Sequence, residues 1–269
     1  MDILIQTGRI FFCIGMACMA GQQLYYGDFR PVFAPSLSSW IPFLNIWAYL
    51  FGAVLIVLCA AIVSGKNAKS ASLRLGGLLL IFLLITHIPY EILVDPYSHR
   101  LGTWTNAFKE LALSGSAFVV AGSFHDEYIA GTQKSGIIPV LENFIPFGKI
   151  FFSITLITFG ICHFIYTEFV AILVPFWIPN HIFWTYVAGM ALIGSGLSII
   201  LNIQKKIIVT LMGMILFIWF LILHIPRALA SLPTDKGNQL TSVFQSLAFS
   251  GIALIIANEH VATRKRISK

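Results

Sequence analysis

His87 and Glu91 stand four residues apart in a stretch that is otherwise apolar. On a helix that spacing puts both side chains on one face a turn apart, which suits a proton relay or a hydrogen-bonded pair. His224 and Arg227, three apart, share a face in the same way, and Tyr90 adds a phenol beside Glu91. Asn106, Lys109 and Glu110 open another apolar run, Gln245 and Ser246 lie near the start of a further one, and Gln22-Gln23 and Cys162-His163 close two more. Ionisable groups inside membrane segments are costly and point to function. The residues expected to carry chemistry are His87, Glu91, Glu110 and His163, with Gln23, Tyr90, Lys109, His224, Arg227 and Gln245 expected to bind a ligand. Glu91 or Glu110 is expected to pair with Arg227, because a lone buried charge is intolerable. Plainer roles are open as well. The histidines before Pro89 and Pro226 would bond carbonyls that the prolines leave free, and Lys109, Glu110 and Arg227 would snorkel to the interface.

Several chemistries lack their residues. Cys13, Cys18, Cys59 and Cys162 form no C-x-x-C and place no pair in an outer loop, so they read as packing residues rather than a thiol–disulfide couple. No H-E-x-x-H, Walker loop, G-x-G-x-x-G or G-x-S-x-G is found. A zinc or iron site from His87, Glu91, His163 and His224 would need three helices to converge, and nothing marks a haem cleft between His87 and His224. No metal and no intrinsic cofactor are expected.

The elements that must hold these groups follow from composition. The 269 residues are 58% hydrophobic and only 10% charged, with mean hydropathy +0.86. Soluble domains carry about 25% charged residues, so this chain has too little charge for a water-facing surface of its size. A net charge of +6 without local clustering makes no nucleic-acid face. The class is an all-α integral membrane protein with membrane lipids as its surroundings. A bilayer core needs about 20 mostly apolar residues per helix, and eight such stretches are read: 8–27, 45–64, 73–94, 105–124, 148–167, 182–203, 207–229 and 241–258. The first is expected to be retained rather than cleaved. With eight spans both termini share a side. That side holds Arg9, Lys66, Lys69, Arg74, Lys134, Lys149, Lys205, Lys206, Arg264, Lys265, Arg266 and Lys269, while Arg30, Arg100, Lys109, Arg227 and Lys236 fall opposite. Positive charge resists translocation, so both termini are expected in the cytoplasm and the polar groups near the outer face; a bacterial inner membrane is the expected location. Trp40, Trp104, Trp177 and Trp184 read as interfacial anchors.

The chain repeats itself. Gly8-Arg9-Ile10-Phe11-Phe12 returns as Gly148-Lys149-Ile150-Phe151-Phe152. Trp40-Ile41-Pro42, Trp47, Tyr49, Gly52 and His87-Ile88-Pro89 return as Trp177-Ile178-Pro179, Trp184, Tyr186, Gly189 and His224-Ile225-Pro226, and Ser114-Gly115 meets Ser250-Gly251. Shared composition explains Leu and Ile matches but not Trp, His and Pro. The expected organisation is two parallel four-helix-bundle repeats, 1–130 and 131–269, joined by a cytoplasmic linker over 125–147. An even number of spans per unit keeps both the same way up.

Gly160-Ile161-Cys162-His163-Phe164, Val174-Pro175-Phe176-Trp177-Ile178-Pro179, Trp184 and Gly189 resemble the DoxX-like family of four-helix membrane proteins, here in tandem. In the first unit Gln23 stands where the second has His163, and an insertion parts Ala34-Pro35 from Trp40-Ile41-Pro42. The resemblance implies a membrane subunit of a quinone-linked redox system, with His163 or His87 on a quinone oxygen, Glu91 or Glu110 exchanging its proton, and a soluble or membrane redox partner carrying the electrons. If it is an enzyme at all, it would be an oxidoreductase subunit. Related members look like chaperones, and the fold does not fix function. The alternative is a non-enzymatic lipid- or anion-binding protein, transporter or assembly factor.

Overall fold

The structure, a computed structural model, describes residues 3–35, 41–124, 136–231 and 235–259. Trp40, the first part of the expected linker and Arg264-Lys265-Arg266 lie outside the described residues. The described chain is helical: α1 (Ile3–Tyr26), α2 (Leu44–Ser64), α3 (Ala68–Ile85), α4 (His87–Leu93), α5 (Thr105–Gly122), α6 (Ile138–Glu142), α7 (Ile145–Ile165), α8 (Thr167–Ala171), α9 (His181–Leu201), α10 (Lys205–Trp219), α11 (Ile225–Ser231) and α12 (Asn238–Asn258). A π-helical turn, Phe220–His224, joins α10 to α11. Among the described residues seven helices, counting α3–α4 and α10–α11 as one each, are long and apolar enough to cross a membrane. The chain is thus a polytopic membrane protein by its helices. The eighth expected span, α5, has 18 residues, but Asn106, Lys109 and Glu110 in its first turns leave it outside that set.

The long helices close into a ring in the order α1, α2, α3, α5, α7, α9, α10, α12 and back to α1, and α5 and α12 also meet across it. The two halves therefore do not each close on themselves. The last long helix of each half packs on the first long helix of the other, α5 on α7 and α12 on α1. Glycine makes these crossings close. A Cβ on Gly115 would lie 2.5 Å from the Gly148 carbonyl, and one on Gly251 would lie 2.5 Å from the Gly8 carbonyl. Lipid tails are as apolar as leucine, so helices associate through such close backbone approach and through interhelical hydrogen bonds. Both occur here. Ser114 donates its hydroxyl to the Gly76 carbonyl (2.8 Å), and Ser250 donates to the Gly213 carbonyl (2.9 Å). Further pairs match in register: Gly52 lies against Ala20, Gln23 and Leu24, and Gly189 against Gly160, His163 and Phe164.

The outward faces suit lipid. Along α2, Trp47, Leu50, Val54 and Val57 are exposed, and α12, in contrast, is buried along almost its whole length. The four cysteines are free thiols, three of them buried. At the end of the bundle that holds Ile3 and Asn258, here the terminal end, Arg9 stacks on Phe124 (3.7 Å) and donates to the Ser123 hydroxyl and carbonyl. The other end, the far end, carries most of the expected site residues.

Candidate functional site

Two prolines break the helices that lead to the far end. Pro89 and Pro226 supply no N–H, so the carbonyls one turn earlier lose their helical donor. The chain answers differently in the two places. Between α3 and α4 the break falls at Thr86, whose φ of −112° departs from the helical value and whose hydroxyl donates to the Phe82 carbonyl (2.8 Å). Before Pro226 the helix widens into the π turn. Each break ends on a histidine, His87 or His224.

Residues 27–35, which link α1 to α2, fold into the far end rather than over it. Gly27 takes a positive φ of 63° to turn the chain inward. One helical turn follows, closed by Phe33 N–H donating to the Arg30 carbonyl (2.9 Å). Phe29, Val32, Phe33 and Ala34 are buried, with Phe29 stacked on Phe82. Arg30 enters with them, only 4% exposed, and donates to the Lys236 carbonyl (3.2 Å) and to Asn238 Oδ1 (2.7 Å). Burial pushes its guanidinium below the ordinary arginine range, opposed by Tyr26, Asp28 and Asp235. Gln23 fastens the segment from beneath: its carbonyl oxygen accepts from Arg30 N–H (3.3 Å) and its amide donates to the Ala48 carbonyl (3.3 Å). Gln22 donates to the Gly237 carbonyl (2.9 Å) and accepts from Thr241 (3.0 Å). Arg30 and Asn238 were not among the expected site residues. The signal for them was Phe29, Val32 and Phe33 flanking an arginine in what reads as a loop.

This inserted segment meets two groups from α4 and α5. His87 Nε2 donates to the Val32 carbonyl (3.3 Å) and lies 3.7 Å from Glu110 Oε2. Glu110 is 0% exposed, and neither of its oxygens accepts a hydrogen bond; His87 Nδ1 is unpartnered too. Glu91 is buried near Asp95 and Thr103, with one carboxylate oxygen unpartnered, and Tyr90 is half-buried next to it.

On the other side of Val32 is a cavity of about 220 Å3, lined by Pro31, Val32, Asn106, Lys109, Asn238, Gln239, Thr241, Ser242 and Gln245. Lys109 and Gln245 occupy matching places, each five residues before Ser114 or Ser250, and Asn106 and Ser242 match in the same register. Among the described residues no carboxylate lines the cavity. Among the described residues Lys109 has no ion pair, and the amide nitrogen of Gln245, a residue 5% exposed, has no acceptor. His224 and Arg227 are half-buried, and Lys109 and Arg227 both lie within electrostatic range of His224. The arrangement is a donor-lined cavity beside an unpaired ammonium, backed by a carboxyl–imidazole pair.

The expected pairing of Glu91 or Glu110 with Arg227 is not formed among the described residues. Glu110 meets His87 instead. Successive helical residues point about 100° apart, so α5 turns Lys109 to the cavity and Glu110 to α4. His163 is not brought to this cluster by any hydrogen bond or ion pair among the described residues. Its Nδ1 donates to the Phe159 carbonyl of its own helix (2.7 Å), and its Cβ abuts Gly189 of α9. Among the described residues no three His, Cys, Asp or Glu side chains form a group able to hold a metal ion. Comparison with models of protein families, with curated proteins and with solved structures finds no match to this chain, so the DoxX-like resemblance gains no support from them.

Proposed function

We propose that this chain is a membrane-embedded binding protein for a small anion, taken up from the outer face of a bacterial inner membrane into the cavity at Lys109. The observation that carries the proposal is an ammonium group that, among the described residues, has no ion pair and no carboxylate in its cavity. A half-buried cation lining a cavity favours a counter-charge, and the described residues supply none at the cavity wall. Gln245, Asn106, Asn238 and Ser242 provide the neutral donors that an anion of a few heavy atoms would accept from.

In this proposal α5 is the eighth span. It is enclosed by α3, α7 and α12, so it needs less apolar surface than a lipid-facing helix. The chain is a tandem duplication with a pseudo-two-fold axis along the membrane normal. What supports this is the matched set of contacts, Ser114 on Gly76 with Ser250 on Gly213, and Gly115 on Gly148 with Gly251 on Gly8. The cavity then sits by the axis, with Lys109 in one unit and neutral Gln245 in the other. The positive-charge balance puts the termini in the cytoplasm and the far end outside.

The test is a titration of methanesulfonate, which keeps its charge at all working pH values, into the protein in lipid nanodiscs, read calorimetrically. Replacing Lys109 by Met keeps an unbranched side chain, one atom shorter, and removes the charge. A charge-assisted hydrogen bond contributes about 1.5–3 kcal/mol, so affinity should fall roughly 10- to 100-fold. Equal affinity in parent and Lys109→Met would refute the proposal.

A quinone-linked redox role is the second reading. What favours it is an apolar groove of about 410 Å3 between α2 and α3, which ends at Thr86 next to His87 and would accept an isoprenoid tail. A partner carrying flavin, haem or metal would then supply the electrons. A reduced-minus-oxidised ultraviolet spectrum of protein purified with native lipid separates the two readings: a stoichiometric quinone band supports the second.

A further inference from the structure

Val32 divides the far end in two. On one side it lines the cavity that holds Lys109, and on the other its carbonyl accepts the His87 Nε2 proton. Glu110 stands next to Lys109 in sequence and 3.7 Å from the same His87 nitrogen. Neither Glu110 oxygen nor His87 Nδ1 has a hydrogen-bond partner, and the two residues are 0% and 1% exposed. The mechanism proposed above for the cavity makes no use of this pair.

The pair has a simple charge ledger. With one titratable proton between them, the carboxyl and the imidazole sum to zero; without it they carry one negative charge. Which state is favoured depends on the charges outside. An empty cavity presents the Lys109 cation alone, which favours the negative pair. An anion seated on Lys109 cancels that cation and so removes what held the proton off, which favours the protonated pair. The elements packed around Glu110 present few other charges in this half of the bundle. They are His87 and Glu91 from α4, Arg30 from the inserted segment, bonded to Asn238 and the Lys236 carbonyl and faced by Asp28 and Asp235, and His163 from α7, bonded to its own helix. From α12, no titratable side chain lies between Asn238 and Ser250. His224 and Arg227 from the α10–α11 limb act on the Lys109 side.

We propose that the cavity takes its anion together with one proton, the proton being bound by the His87–Glu110 pair behind Val32. The inference rests on the anion-binding function proposed above and adds its coupling. Linkage is reciprocal, so the anion binds tighter where the pair is already protonated, and the pair takes up a proton when the anion binds. The sign is fixed: affinity rises as pH falls. Unit charges on the order of 10 Å apart at an effective dielectric of about 20 interact strongly enough to change affinity roughly tenfold.

The experiment is calorimetric titration of methanesulfonate into the nanodisc-embedded protein from pH 6 to pH 8.5, repeated in buffers of different ionisation enthalpy to count protons. Expected are an affinity roughly tenfold higher at the acidic end and net proton uptake on binding. Glu110→Gln, a neutral stand-in for the protonated acid, should hold the acidic-end affinity at every pH and take up no proton. Lys109→Arg keeps a fixed cation and should keep the slope, which excludes titration of the lysine as its source; Glu91→Gln should keep it too. Binding that is constant across pH in the parent, with no proton uptake, overturns the coupling and leaves the anion site standing. Absence of binding at every pH in folded parent protein overturns both. If Glu110→Gln fails to fold, the proton count in the parent and in Lys109→Arg decides the matter.

Discussion

Gly115→Ala tests the crossing of the two halves with a single methyl group. The new Cβ would stand 2.5 Å from the Gly148 carbonyl oxygen and 2.7 Å from Phe151 Cβ, both closer than real Cβ atoms approach. One neighbour is backbone and the other is the root of a side chain, so neither moves without its helix, and α5 and α7 must separate. Over-packing of this kind costs about 1–3 kcal/mol, against which alanine in place of glycine returns about 1 kcal/mol of helix propensity. The net expectation is a loss of up to about 2 kcal/mol. Gly194 in α9 provides the control, because nothing lies within 4 Å of its added Cβ. There the propensity gain should stand alone and stability should rise or stay level. Gly251→Ala, whose Cβ would meet the Gly8 carbonyl at 2.5 Å, should repeat the loss at the α1–α12 crossing. The two losses should add, since the sites share no partner. The assay is reversible unfolding in mixed micelles followed by tryptophan fluorescence. If Gly115→Ala and Gly194→Ala were equally stable, the close crossing of α5 on α7 would be wrong.

Two more outcomes follow from the same contacts. Cutting the chain between Phe124 and Gly136 and expressing either half alone should give an unstable product, because α1 and α5 find their main partners in the other half; co-expressed halves should co-purify, and a stable isolated half would count against the exchanged arrangement. Arg30→Met should release residues 27–35 by removing the bonds to the Lys236 carbonyl and Asn238, at a cost of roughly 2–3 kcal/mol. Hydrogen exchange should rise over 27–35 and stay low in the terminal half of α12; unchanged protection over 27–35 would show that Arg30 does not anchor it.

The helices were legible in the sequence because the signal is local. A run of about 20 apolar residues has to be a helix to satisfy its backbone in lipid, and α2, α7 and α9 begin within a few residues of the expected starts. The breaks before Pro89 and Pro226 follow from one missing N–H apiece. His87, Glu91, Glu110, Gln23 and Gln245 are buried, whereas Tyr90, Lys109, His163, His224 and Arg227, expected at the same depth, are half-buried, so depth along a span does not fix burial. α5 is the instructive case: its polar first turns are what make it a candidate site, and they also keep it below the apolarity of the other spans.

Which faces meet was decided only in three dimensions. Every face of a membrane helix is apolar, so the sequence carries no stripe that says where a neighbour packs. Hence the pairing of α5 with α7 and of α1 with α12 could not be read from hydropathy, although the glycines that permit it, Gly8, Gly115, Gly148 and Gly251, were all in the repeated motifs. The expected partner for the carboxylates, Arg227, shows the same limit. Spacing along a helix fixes which residues share its face, and His87 with Glu91 do. Only the turn of α5 between Lys109 and Glu110, together with a segment folded in from between α1 and α2, puts the carboxyl against an imidazole and leaves the ammonium alone in a cavity.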